Sequence, residues 1–304
     1  MNQPELSQSV VEMTTQRLAR RKFLAQAGVL SIGGAVSLAT AARPAFAREH
    51  DSAAERAQEW AQGKDTVKEI FTAALIAEDL ASTFYYNGLI GTVIQDPNLA
   101  GPGGTATNVS GAGDEGNVAY LRAALTQELQ HAALFRSLLG ISDAGHDPVQ
   151  TFYFPAGTFD SLLAFTATLD ALENAFIGAY LNAIQEFAAK SANANRGDGA
   201  WREPADRAYS KEQLDYFAKV SASIMGVEAE HRVLGRVISG TDPANNRNYE
   251  STDGLNAVYN GSHSAVVALT TFLTSSTGPG YSLETAMMHQ ADVSLPIAGG
   301  PPAF

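Results

Sequence analysis

Two stretches of the chain share one pattern. Residues 127–136 read QELQHAALFR and residues 227–236 read VEAEHRVLGR. Each holds a glutamate, a histidine three residues later, then a leucine and an arginine: Glu128, His131, Leu134 and Arg136, and again Glu228, His231, Leu234 and Arg236. On an α-helix, side chains three apart project from nearly the same face on successive turns. A carboxylate and an imidazole so placed can grip one ion. The chain has six histidines, and two fall in this pattern. The others, His50, His146, His263 and His289, lie in loop-like or tail segments with no glutamate three residues before them.

A second repeat accompanies the first. Glu78 is followed by Tyr85 and Asn87, and Glu173 by Tyr180 and Asn182, at identical spacing. Each glutamate sits in an apolar run, AALIAEDLAS and ALENAFIGAY, near the middle of a stripe that should face a core. A carboxylate there is costly unless it is paired or bound to a metal. Two single glutamates and two Glu-x-x-His pairs give four carboxylates and two imidazoles, whose four negative charges match two divalent cations. The plainer reading of the same residues is a helical bundle with solvated Glu/His faces, because Glu-x-x-His alone is common by chance. Only the six residues together carry the metal reading.

Neighbouring residues divide between the two readings. Tyr85 and Tyr180 are expected as core aromatics with satisfied hydroxyls; the alternative is that they hydrogen-bond to the ligands or pass electrons. Arg136 and Arg236 suit either carboxylates next to the ligands or surface ion pairs. Asp170, three residues before Glu173, is an extra ligand candidate or an acid favoured in the N-terminal half of a helix. Asp79, Glu186 and Glu230 fall off the ligand face and are expected to be solvated.

Composition narrows the chemistry. The absence of cysteine excludes disulfides, thiolate metal sites, cysteine nucleophiles and iron–sulfur clusters. His and carboxylate ligands suit iron, manganese and zinc. The net charge of −12 argues against a nucleic-acid partner.

Four long runs must position these residues: about 65–90, 117–139, 160–191 and 211–239. Each has helix-forming composition, apolar residues at spacings of three and four, and no internal proline. Glycine-rich or polar connections separate them, and TFYF within 141–159 reads as a short extended segment. The pattern predicts an all-α four-helix bundle over 65–240. A C-terminal extension, 241–304, would hold one more short helix over 263–275 and an irregular tail that packs across the bundle. The connection between the second and third helices is long enough for a crossover, as is the one between the first and second.

The N-terminus reads as an address. ARRKFL at 19–24, an apolar stretch to about Ala42 and the Ala45-Phe46-Ala47 ending make a secretory signal peptide over 1–47. Its paired Arg20 and Arg21 before Phe23-Leu24 resemble the twin-arginine class, which implies the Tat export machinery as a partner and a periplasmic or extracellular protein. An uncleaved anchor is the alternative, since the apolar run is near bilayer-spanning length. Cleavage after Ala47 leaves a linker at 48–64 and no stable membrane insertion. It also takes the net charge from −12 to about −15.

The six residues on four helices resemble the ferritin-like carboxylate-bridged dimetal superfamily, and the general ligand pattern of that group is a known one. Carried over, the resemblance implies metal ligation by Glu78, Glu128, His131, Glu173, Glu228 and His231, with Glu128 and Glu228 bridging. Two divalent ions are implied, iron first and manganese second; manganese catalases share the bundle with one carboxylate fewer. A secreted chain with a long extension and a PANNRNYE segment looks like the bacterial group related to plant desiccation-related proteins. One departure stands out. Some diiron oxygenases place an aspartate beside the motif that bonds the ligand imidazole; here Gln127 and Val227 hold those places. Asn87, Asn182 or backbone carbonyls are the candidates to replace it, and the departure counts against oxygenase chemistry on organic substrates.

The function expected is a redox protein of the envelope, a dimetal, best diiron, site that oxidises ferrous iron or handles peroxide or dioxygen. The alternative is a non-catalytic stress or desiccation-related protein in which the site is structural or lost. Cage storage fits less well, because the extension would have to fit the shell. No individual catalytic residue is assigned, and a homo-oligomer is compatible with the sequence.

Overall fold

A computed structural model of the chain describes residues 65–95, 116–194, 204–241 and 265–294. The stretches read as a signal peptide, 1–47, and a linker, 48–64, lie outside the described residues.

Four long helices dominate: α1, Val67–Ile90; α2, Gly116–Leu139; α3, Leu162–Ala194; and α4, Lys211–Ile238. Their starts and stops follow local chemistry. Thr66 caps α1 in a reciprocal box with Glu69, its hydroxyl accepting from the Glu69 N–H and its own N–H donating to the Glu69 carboxylate. Ser210 and Gln213 form the same box at the start of α4. The helices that carry the Glu-x-x-His pairs also end alike. Gly140 and Gly240 both sit at φ 70°, a conformation that glycine adopts without steric cost. They let Ile141 N–H reach the Arg136 carbonyl and Thr241 N–H the Arg236 carbonyl, at 2.9 Å each. The internal repeat thus runs from the ligand glutamate to the terminating glycine.

Packing fixes the directions. Near the start of α1, Phe71 meets Phe135 near the end of α2, Phe187 near the end of α3 and Phe217 near the start of α4. Near the end of α1, Phe84 stacks on Phe165 near the start of α3, ring centroids 4.5 Å apart. Helix α1 is therefore antiparallel to α2 and α3 and parallel to α4. The chain leaves α2 at one end of the bundle and enters α3 at the other, so residues 140–161 form the crossover. The most extensive packing is α1 on α2 and α3 on α4. Two apolar clusters fill the two ends of the bundle, one around Phe71, Phe135, Phe187 and Phe217, the other around Phe84, Phe152, Phe154 and Phe165.

The crossover carries a short strand, β1, Thr151–Tyr153, where an extended segment was expected. The extension proves more ordered than expected. Its helix α5, Ala265–Thr270, continues as a 3-10 turn, Thr271–Leu273. The stretch read as an irregular tail contains strand β2, Gly280–Ser282, and helix α6, Leu283–His289. β2 pairs antiparallel with β1, Thr151 opposite Ser282. Phe154 just beyond β1 packs against Phe84, Phe272 and Tyr281, joining crossover, bundle and extension. Helix α6 lies against α1, and the Arg122 guanidinium on α2 donates to the Val293 and Ser294 carbonyls beyond it.

Candidate metal centre

Between the two apolar clusters lies a layer of charge. Every one of the six sequence-selected residues points into it. Glu78 comes from α1, Glu128 and His131 from α2, Glu173 from α3, and Glu228 and His231 from α4. Their donor atoms form two groups, Glu78, Glu128, His131 and Glu228 in one, and Glu128, Glu173, Glu228 and His231 in the other. Within each group the atoms lie within 4.8 Å of one another. Glu128 and Glu228 belong to both.

His131 Nδ1 stands 3.2 Å from a Glu78 oxygen, 3.4 Å from Glu228 and 3.6 Å from Glu128. His231 Nδ1 stands 2.9 Å from Glu128, 3.4 Å from Glu228 and 3.8 Å from Glu173. All four carboxylates are buried. Both oxygens of Glu128, both of Glu228, one of Glu173 and the Nδ1 of His231 lack hydrogen-bond partners. Buried polar atoms are rarely left this way, and here they converge on the same two points. A pair of cations fits that donor set in type, number and charge.

The protonation of the metal-free cluster reflects the same crowding. Burial, with the neighbouring carboxylates, pushes Glu78 and Glu173 well above the usual glutamate range. Burial alone would lower the histidines, but the carboxylates around them outweigh it and raise both. Glu128 is held below the usual range despite its burial, because His231 and His131 face it.

The tyrosines touch the site. Tyr85 on α1 donates to Glu173 on α3 at 2.7 Å, and Tyr180 on α3 donates to Glu78 on α1. Burial and the adjacent carboxylates raise both phenols well above their ordinary range, so they remain donors. Gln127, read from the sequence only as a departure from the aspartate pattern, takes the aspartate's role itself. Its amide oxygen lies 2.8 Å from His231 Nε2, so the ring donates there and keeps its Nδ1 facing the carboxylates. Asn87, a candidate for that role, donates instead to the Thr83 carbonyl.

Asp79 corrects an expectation. It is fully buried, not solvated, and pairs with the Arg136 guanidinium, whose Nε also meets Asp147 of the crossover at 2.6 Å. Arg236, also buried, pairs with Asp170 at 2.8 Å. Asp170 belongs to neither donor group. Glu186 is half-buried and accepts from the Asp65 N–H, while Glu230 is exposed as expected.

Residues 66–197 match the family model of the ferritin-like domain. The match spans α1 to α3 and supports the ferritin-like superfamily. The fold is an all-α, ferritin-like four-helix bundle with a C-terminal extension. The ferritin-like match ends before α4, whose Glu228 and His231 complete both donor groups. No curated protein and no solved structure shows significant similarity to the chain.

Proposed function

We propose that the chain is an exported dimetal protein, diiron by preference, that oxidises ferrous iron or handles dioxygen or peroxide outside the cytoplasm. One observation carries the reading: six buried donor atoms without partners converge on two overlapping positions that share two carboxylates. When bound, a redox-active metal pair supplies two coordinated one-electron changes.

The chain's own residues prepare for this. Glu128 and Glu228 each offer two unpartnered oxygens, one toward each position, which suits a bridging role. Glu78 and Glu173 serve one position each and are oriented by the tyrosines opposite. Four carboxylates balance two divalent ions, so a loaded site carries no net charge into the apolar interior. The phenylalanine clusters above and below keep bulk water out, which strengthens every charge interaction within. Export rests on separate grounds, the ARRKFL and Ala-Phe-Ala features of the N-terminus. The Tat route and a periplasmic or extracellular location are part of the proposal.

The test is elemental analysis of the mature protein purified from its native compartment, beside a Glu128→Ala/Glu228→Ala variant. About two iron ions per chain, absent from the variant, support the reading and call for ferroxidase and peroxide assays. A metal-free, well-folded native protein overturns it and leaves a structural stress protein.

A further inference from the structure

We propose that the two ion positions are unequal: the one formed with Glu173 and His231 holds its ion tightly, and the one formed with Glu78 and His131 exchanges it. The inference rests on the dimetal reading above, and the difference originates in Gln127 and Val227.

The two halves of the bundle repeat each other at every ligand, at both tyrosines and at both terminating glycines. They differ one residue before each bridging glutamate. On α2 that residue is Gln127, whose amide oxygen accepts from His231 Nε2 across the bundle at 2.8 Å. On α4 the corresponding residue is Val227, which has no polar atom to offer His131. Among the described residues no amide, hydroxyl or carboxylate bonds to His131 Nε2, and that side chain is 12% exposed, against 4% for His231. The Tyr85 ring also packs edge-on against the His231 ring, centroids 5.8 Å apart.

One imidazole is thus held in orientation, its Nε2 proton engaged by Gln127, before an ion arrives. The other must be ordered by the ion itself and stands next to solvent. Groups that hold a ligating histidine through its second nitrogen are worth 10- to 100-fold in metal affinity. The same interval is expected between the two positions here. Gln127 acts as a positioning residue, since it reaches the ion only through His231.

Two ions in one site repel each other, so each position must be measured alone. Glu78→Gln cripples the His131 position and Glu173→Gln the His231 position, leaving the full-length mature chain with one good site in each case. Metal-free protein is titrated with Co2+ and followed by visible absorption and calorimetry. The Glu78→Gln chain is expected to bind one cobalt roughly 10- to 100-fold more tightly than the Glu173→Gln chain. Adding Gln127→Leu to Glu78→Gln should remove that advantage. Adding Val227→Gln to Glu173→Gln should restore it at the other position, and this second pair decides the matter if the Leu variant misfolds. Equal affinities in the two single variants, or indifference to both changes at 127 and 227, overturn the grading while leaving the dimetal site intact. Failure of the unmodified chain to take up any cobalt overturns the dimetal reading itself.

Discussion

Tyr85 on α1 donates its hydroxyl to Glu173 on α3, and Tyr180 on α3 returns the same bond to Glu78 on α1. The exchange ties the two helix pairs together through their buried carboxylates. Tyr85→Phe removes the donor and leaves a Glu173 oxygen buried without it. The metal-free chain should lose about 1–3 kcal/mol, measured by denaturant unfolding. Saturating metal should shrink the loss, because the ion then satisfies the carboxylate.

The carboxylate layer is expected to trade stability for ion capture. Glu228→Gln removes a shared carboxylate charge from a dry interior. The metal-free variant should melt higher than the unmodified metal-free chain, by about 1 kcal/mol or more, and should no longer take up two ions. Thermal melts of both chains, with and without Mn2+ or Co2+, check this. A lower melting point in the metal-free variant would count against charge crowding at the site.

Arg136 holds two buried aspartates, Asp79 on α1 and Asp147 in the crossover. Arg136→Met strands both and should cost about 3–5 kcal/mol. Adding Asp79→Asn and Asp147→Asn should recover much of that loss. A full recovery would show that the triad supplies placement of the crossover more than net stability.

Acid should oppose metal loading. Glu78, Glu173, His131 and His231 all have raised proton affinity in the metal-free fold, and ions must displace those protons. Affinity should therefore rise with pH, by roughly tenfold per unit for each proton released. The sign for folding runs the other way. Groups whose folded-state affinity for protons is raised stabilise the fold at low pH and lose that contribution as pH climbs. The loss begins above the ordinary 4.5 of glutamate and 6.5 of histidine. The metal-free chain should thus weaken toward alkaline pH while the loaded chain does not. Calorimetry in buffers of different ionisation enthalpy counts the protons.

Much of this was legible in the sequence because it depends on local spacing. Helices of 24 to 33 residues declare themselves by periodicity and lack of proline, and three-residue spacing places Glu128 and His131 on one face wherever the helix goes. What escaped depends on distant partners. Asp79 looked solvated because it lies beside Glu78 and off the ligand face. Yet every residue from Leu75 to Tyr86 is buried, because α2, α3 and α6 all pack on α1. The run AALIAEDLASTFYY lacks a polar face, and a helix apolar all round is a buried one; that was the available clue. Gln127 and His231 are 104 positions apart; position 127 reads in the sequence only as lacking an aspartate, although an amide oxygen accepts from an imidazole N–H as a carboxylate does. β2 and α6 are too short for periodicity to reveal them.

The pairing of β1 with β2 sets an order on the birth of the molecule. Thr151 must wait for Ser282, synthesised long after all four long helices have emerged. Such a distant contact closes slowly, since a long loop must be ordered before it is rewarded. The strap between α2 and α3 is therefore fastened by a stretch made only after all four long helices. A nascent or truncated product ending before Gly280 carries its full set of ligands on an unlatched bundle, and only a chain that includes β2 carries them on a latched one.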